Sequence, residues 1–285
     1  MFIAIVAAVA AGVSFAVGGV VQQRVARTRP EGALSPGLLL SLARVPLWWA
    51  GIGFALLSYG LQSLALAFGP LVLVQPLLVT EVIFAIPISV RIHGMHLELR
   101  EWIGVSCVVA GLALGIVSAR PTSGNPLPAL VLWGLAVAAS GFVILGALGA
   151  ARPAEGPVRA SFMAAAAAVA LALTSALLKS MVAVFQHHGL GALAVWQPYA
   201  MAVVAIGGLY LVQSAFRSGP LAASMPVIDG VEPSFAIGLG IALFGERVQS
   251  GVWPFLGIAV GLALLFAGIV LLDTSPVIQR LHERE

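Results

Sequence analysis

The sequence predicts an all-α integral membrane protein with nine transmembrane helices. Of its 285 residues, 60% are hydrophobic and only 9% are charged, whereas about a quarter of the residues of a soluble domain are charged. Apolar runs of about 20 residues, the length that crosses a bilayer as a helix, recur along the whole chain. The 32 glycines and 17 prolines agree with this class, since both residues are more frequent in transmembrane helices than in soluble ones.

The spans follow from these runs in chain order. The first, 2 to 21, has no basic segment before it and is therefore a retained span, not a cleaved signal peptide. The segment 33 to 46 is interrupted by Pro36 and Arg44, which leaves either an interfacial helix or a short tenth span. The other predicted spans are 47 to 68, 70 to 90, 102 to 119, 129 to 150, 160 to 183, 195 to 216, 220 to 244 and 252 to 272.

Arginine placement favours nine spans over ten. Cytoplasmic loops collect Lys and Arg, and nine spans with the N-terminus outside put eleven arginines inside against two outside. Ten spans would change this ratio to eight against five. The arginines stand singly without interleaved aromatic residues, so the net charge of +3 indicates topology and not nucleic-acid binding. We expect a plasma or inner membrane protein with a cytoplasmic C-terminus.

Two stretches of the chain match each other. They are "YGLQSLALAFGPLVLVQPLLVTEVIFAI", from Tyr59, and "YLVQSAFRSGPLAASMPVIDGVEPSFAI", from Tyr210. The two copies are five predicted helices apart and therefore cross the membrane in opposite directions, which is an inverted-topology repeat. One transmembrane domain would then consist of a first repeat, 1 to 120, and a second, 121 to 285. The matched pairs include Gln62 with Gln213, Pro76 with Pro226, and Glu81 with Glu232.

The repeat carries a glutamate at the middle of the bilayer in each copy. Glu81 lies about 15 Å into the third predicted span, and Glu232 reaches a similar depth from the opposite side. A charged residue at that depth costs roughly 2.5 to 3.5 kcal/mol, so such residues usually mark a substrate or ion pathway. We expect the two carboxyl groups to share a cavity. The alternative is that they only hold the bundle together through hydrogen bonds.

Other polar residues accompany the glutamates. Asp229 precedes Glu232 by three residues and lies on nearly the same helical face; the alternative is that it bonds only to backbone freed by a nearby proline. Tyrosine and glutamine pairs supply either ligands for a small molecule or hydrogen bonds between helices. These pairs are Tyr59 and Gln62 in the first copy, and Tyr210 and Gln213 in the second.

Prolines and the lone lysine complete the candidate site. Pro76 and Pro226 are expected to break their helices and free backbone carbonyls near the carboxyl groups. Lys179, in the sixth predicted span, either serves as counter-ion to one of the acids or extends its long side chain to the membrane surface. The single cysteine, Cys107, excludes a disulfide framework and a cysteine metal cluster.

These motifs resemble the drug/metabolite transporter superfamily, whose EamA-type members are two inverted repeats of helices. The resemblance rests on "GPLVLVQPLL" and "GPLAASMPVI", on "FGER" with Glu246, and on the small-residue helices "WIGVSCVVAGLALGIVSA" and "FLGIAVGLALLFAGIVLL". Within the superfamily, "LWWAGIGFALLSYGLQSLALAFGPLVLVQPL" is most similar to the NIPA-type magnesium transporters. The resemblance implies a membrane transporter.

We therefore expect a secondary carrier of a small polar or cationic solute that works by alternating access with proton coupling. Glu81 and Glu232 would be the titrating pair, Asp229 would assist, and the tyrosines and glutamines would shape the pocket. A magnesium or divalent-cation permease is the alternative transporter, and a non-transporting membrane partner is the alternative of another class. The sequence shows no nucleophile–base pair, metal motif or phosphate loop that would suggest an enzyme. The expected partners are the bilayer and a small-molecule or ion substrate, without cofactor or nucleic acid; a homodimer is left open.

The arginine distribution predicts which loops reach the outside. In a Cys107→Ala background, a cysteine added at the N-terminus should react with an impermeant thiol reagent applied to intact cells. A cysteine in place of Arg152 should not react, because this residue belongs to an inner loop in the nine-helix arrangement. Labelling of the Arg152 position alone would contradict this topology.

Overall fold

The computed structural model describes residues 1–27, 38–81, 83–84, 98–219 and 221–273. Over these residues the chain consists of α-helices, one 3-10 helix and their connections. Eight of the helices are long and apolar enough to cross a membrane. The predicted class, an all-α membrane protein with several spans, is thus confirmed.

The helices follow the predicted order with some changes in their bounds. The predicted third span, 70 to 90, is described only as far as residue 84, so the total of nine spans stays a prediction. The second helix is the described part of the segment 33 to 46. The helices are α1 (Phe2–Arg27), α2 (Leu38–Ala43), α3 (Pro46–Phe68), α4 (Leu71–Leu78), α5 (Leu99–Ala119), α6 (Leu130–Ala151), α7 (Gly156–His188), a 3-10 helix (Gly189–Ala194), α8 (Gln197–Ser218), α9 (Leu221–Phe244) and α10 (Val252–Asp273).

Proline acts differently in the two matched helices. Pro76 has no N–H to donate, and α4 ends two residues after it. A turn at Val79 and Thr80 then precedes Glu81, where helical backbone resumes. The predicted break at Pro226 is wrong, because the backbone of α9 is helical through this position and through Pro233. One missing hydrogen bond does not end a long helix whose other turns remain bonded.

The long helix α7 forms the centre of the bundle. It packs against α6, α8 and α9, while α1 packs against α3. Most of its middle is buried, and much of that part is alanine, including the run from Ala164 to Ala168. Small side chains let neighbouring helices approach closely, which strengthens van der Waals contact where lipid supplies no hydrophobic driving force. The core therefore depends on tight packing of small residues around α7.

Helices α5 and α10 make the closest contact of this kind. A Cβ atom on Gly111 of α5 would lie 2.6 Å from the carbonyl oxygen of Gly261 and 2.6 Å from the backbone nitrogen of Leu265, both in α10. A Cβ atom on Gly261 would lie 2.8 Å from the carbonyl oxygen of Gly111. These two helices consequently touch backbone to backbone, and only glycine permits the observed separation.

Replacing Gly111 with alanine should destabilise the protein. The added methyl group meets backbone that cannot move aside, so we expect a loss of about 1 to 3 kcal/mol. Gly115→Ala is the matched control, because a Cβ at this position of the same helix has nothing within 4 Å, and alanine favours the helix by up to about 1 kcal/mol. Thermal unfolding in detergent measures both. Equal melting temperatures for the two variants would contradict the close contact.

Candidate functional site

A cavity of about 450 Å³ lies inside the bundle. This volume falls within the range of about 300 to 1,000 Å³ typical of small-molecule sites. Residues of α1, α3, α4, α7, α8 and α9 line it, together with Glu81 after α4. Most of the wall is apolar, and it includes flexible or aromatic side chains. These are Phe15, Met201, Phe216 and Met225.

Three carboxyl groups from two parts of the chain meet at this cavity. Asp229 and Glu232 lie one turn apart on α9, and Glu81 follows the turn after α4. Glu81, Asp229 and Glu232 thus converge on one cavity from α9 and from the turn after α4. Like charges that share one cavity repel each other, and a proton on one of the carboxyl groups reduces this repulsion.

Four further polar side chains line the cavity. Tyr59 stands beside both glutamates and packs edge-on against Phe15, with 5.4 Å between ring centroids. Gln75 of α4 is buried, and its Nε2 has no hydrogen-bond partner among the described atoms. A buried donor without a partner is costly, so Gln75 is suited to donating to a bound molecule. The others are Gln22 and Thr174.

Gln22, Gln75 and Thr174 are cavity residues that the sequence analysis did not single out. The amide nitrogen of Gln22, on α1, donates to the carbonyl of Gly51 on α3 at 3.3 Å. Thr174 donates to the carbonyl of Ala170 within its own helix at 2.9 Å. The sequence signal for these residues was a polar side chain inside an apolar run. This signal does not tell which helices the side chain meets or whether it reaches the cavity.

The charge of the cavity is one-sided. Among the described residues that line it, three are acidic and none is Lys, Arg or His. Nor do the described Asp, Glu, His and Cys side chains form a group of three placed to hold a metal ion. Over its described lining, the cavity therefore combines carboxyl groups with apolar walls and has no basic side chain.

Gln62 and Gln213 join helices and do not line the cavity. The amide nitrogen of Gln62, on α3, donates to Oγ of Ser175 on α7 at 3.0 Å. The amide nitrogen of Gln213, on α8, donates to Oε1 of Gln22 on α1 at 3.1 Å. Tyr210 is absent from the lining as well. Of the residues expected to shape the pocket, only Tyr59 does so, because the other three side chains leave the helices on faces that meet another helix or lie away from the cavity.

Lys179 binds a carboxylate outside the cavity. Its Nζ forms a buried ion pair with Oε1 of Glu246, which follows the end of α9, and lies 5.0 Å from the ring centroid of Phe244. Neither expected role of Lys179, counter-ion to a cavity acid or extension to the membrane surface, is found. The physical reason is that Glu246 reaches inward from its loop and compensates the buried ammonium.

Glu246 also binds the first turn of α4. The backbone N–H groups of Leu71 and Val72 donate to its two carboxylate oxygens, each at 2.8 Å. The first N–H groups of a helix have no partner within it and carry partial positive charge, so a carboxylate there is stabilising. Glu246 thus ties together α4, α7 and the end of α9. We call this end of the bundle, defined by Leu71, Lys179, Phe244 and Glu246, the closed end.

Aromatic side chains and loop backbone complete the closed end. Trp133 of α6 packs edge-on against Phe244 and Trp196, with ring centroids 6.0 and 5.3 Å away. The loops after α5 and α9 pair through backbone hydrogen bonds. The N–H of Thr122 donates to the carbonyl of Arg247 at 2.9 Å. Among the described residues, an ion pair, three aromatic rings and bonded loop backbone thus meet at this end of the bundle.

Comparison with known proteins identifies a relative. The chain is 33% identical over 266 residues to an uncharacterized protein of Corynebacterium glutamicum, and the match covers 92% of this chain and 91% of the relative. The two proteins belong to one family. No protein-family model and no solved structure matches the chain. The relative is itself uncharacterized and therefore indicates no activity for this chain.

The geometry of the closed end predicts how its charges respond to substitution. Glu246→Gln leaves the ammonium of Lys179 buried without its counter-ion, and breaking a buried pair in this way costs about 3 to 5 kcal/mol. Adding Lys179→Met to the same chain removes the stranded charge and should recover much of the loss. Denaturant unfolding in detergent measures each variant. The ion pair would be contradicted if Glu246→Gln were as stable as the parent. It would also be contradicted if the double variant were no more stable than Glu246→Gln alone.

Proposed function

We propose that the protein is a secondary transporter of small organic cations coupled to proton movement. The observation that carries the proposal is the meeting of three carboxyl groups in one apolar cavity that has no basic residue among its described lining. An intramembrane acid is costly and usually serves transport or proton transfer. A cation with an apolar body matches both the charge and the walls.

Proton coupling follows from competition for the same carboxyl groups. A proton on one of the three carboxyl groups that line the cavity neutralises one negative charge, and an incoming cation favours release of that proton. Protonation from the other side of the membrane then favours release of the cation. Exchange of the two needs no further ligand, because the groups that hold the cation are the groups that hold the proton.

Alternating access is proposed from the packing of the two halves. Contacts of α1 with α3 have a counterpart in α7 with α8, and α4 packs on α9 as α5 packs on α10. The bonds of Gln62 to α7 and of Gln213 to α1 are related in the same way. These pairs support an inverted repeat, in which one half rocks against the other. Opening the closed end would break the bonds between Glu246 and α4.

A magnesium permease remains the second candidate, since carboxylates suit Mg²⁺ and Tyr59, Gln75 and Thr174 add further oxygen atoms around the acids. Mg²⁺ prefers near-ideal octahedral oxygen coordination and keeps several waters. The mostly apolar wall favours an organic cation instead. Labelled magnesium flux in the same vesicles separates the two candidates.

The central experiment is cation uptake by purified protein in liposomes under a pH gradient. Radiolabelled tetraethylammonium should accumulate against its gradient with the parent protein. Glu81→Gln should abolish this accumulation, because the amide keeps the shape of the side chain but cannot carry the exchanged proton. The melting temperature of the variant should stay close to that of the parent.

Glu155→Gln is the matched control, since Glu155 is exposed at the start of α7 and does not line the cavity. It should transport as the parent does. If Glu81→Gln unfolds, the carboxyl group is structural and the proposed role is wrong. If the parent protein moves no cation under a pH gradient, the proposed cation transport is wrong. Magnesium flux in its place would favour the magnesium permease.

A further inference from the structure

The wall of the cavity between α3 and α8 contains side chains that are also exposed on the outside of the bundle. Leu56 of α3 is 67% exposed and Ile206 of α8 is 61% exposed, and both line the cavity. A side chain has both properties only at the rim of an opening. Beside it, the lining residues Ala55, Ala202 and Ala205 are too small to fill the space between the helices.

The depth of this rim decides what lies outside it. Leu56 is ten residues into α3, about 15 Å from its start, and Ile206 is nine residues into α8, about 14 Å from its start. Both positions are near the middle of a hydrocarbon layer about 30 Å thick. Neighbouring residues that do not line the cavity are also apolar and exposed, with Leu57 at 53% and Val203 at 71%. The opening between α3 and α8 therefore faces acyl chains and not water.

The inner end of the opening leads to the acids. Tyr59 follows Leu56 by three residues on the same face of α3 and stands beside Glu81 and Glu232. A molecule passing between the helices would meet apolar side chains first and carboxyl groups next. Its matching chemistry is a cationic head attached to an apolar body that partitions into lipid.

We propose that the α3–α8 opening is a lateral entrance through which amphipathic organic cations pass from the hydrocarbon layer into the acid-lined cavity. This inference rests on the proposed transport function and names its substrate class and route. A hydrophilic cation, which does not dissolve in the acyl-chain region, does not use this entrance. The opening thus distinguishes two cations of equal charge by their solubility in lipid.

The test compares ethidium, which partitions into lipid, with tetraethylammonium in liposomes under a pH gradient. Leu56→Trp narrows the opening, whereas Leu57→Trp places the same ring on the adjacent lipid-facing position. We expect Leu56→Trp to slow ethidium uptake about tenfold more than tetraethylammonium uptake, equivalent to about 1.4 kcal/mol of difference in added barrier, and we expect Leu57→Trp to slow neither cation. Ile206→Trp, with Val203→Trp as its control, should repeat this result on the other helix. Equal slowing of both cations, or of neither, overturns the lateral entrance.

A second measurement does not depend on transport. In a Cys107→Ala background, a bimane label on a cysteine at Ala205 should be quenched by lipids brominated at the middle of their acyl chains. Quenching should fall when Leu56→Trp is added and persist when Leu57→Trp is added. No quenching at Ala205 would overturn the opening even if cations are transported. Quenching without any cation transport would keep the opening and overturn the proposed function.

Discussion

The carboxylate of Glu246 joins parts of the chain that are 175 residues apart and determines how the rest of the bundle is arranged. It binds the first N–H groups of α4 and the ammonium of Lys179 on α7. Helix α4 has only eight residues, too few to be stable alone, so its position depends on this bond and on its packing. Gln75, on α4, and Glu81, just after it, are placed at the cavity as a consequence.

The same ion pair sets the charge of the cavity. Lys179 is the only lysine of the chain, and its partner is Glu246, so it compensates none of the three cavity acids. An ionised carboxyl group among apolar side chains is costly, and like charges that share one cavity add repulsion. The ion pair at the closed end thus leaves the described lining of the cavity acidic, with no Lys, Arg or His.

Residue size divides the bundle into a tight side and an open side. Glycines let α5 and α10 touch backbone to backbone, which leaves no space between them. Between α3 and α8, the lining residues Ala55, Ala202 and Ala205 have small side chains, and the lining residues Leu56 and Ile206 are also exposed on the surface. Small residues that face each other at contact distance let two helices pack without a gap. Where other contacts hold the helix axes apart, small side chains leave the space between the helices unfilled. Here the bonds of Gln62 to α7 and of Gln213 to α1 connect α3 and α8 to different neighbours.

The amino-acid sequence by itself determined the membrane class and most span positions, because composition and run length are local properties. The depth of Glu81, Asp229 and Glu232 in the bilayer stays a prediction. The sequence also determined that Asp229 and Glu232 share a helical face. Only the tertiary structure decided that Lys179 pairs with Glu246, that Gln62 and Gln213 join helices, and that α9 continues through Pro226. The physical reason is that helical periodicity gives the direction of a side chain but not the identity of the helix it meets. Within a bilayer, that identity depends on packing among many apolar faces of nearly equal hydrophobicity.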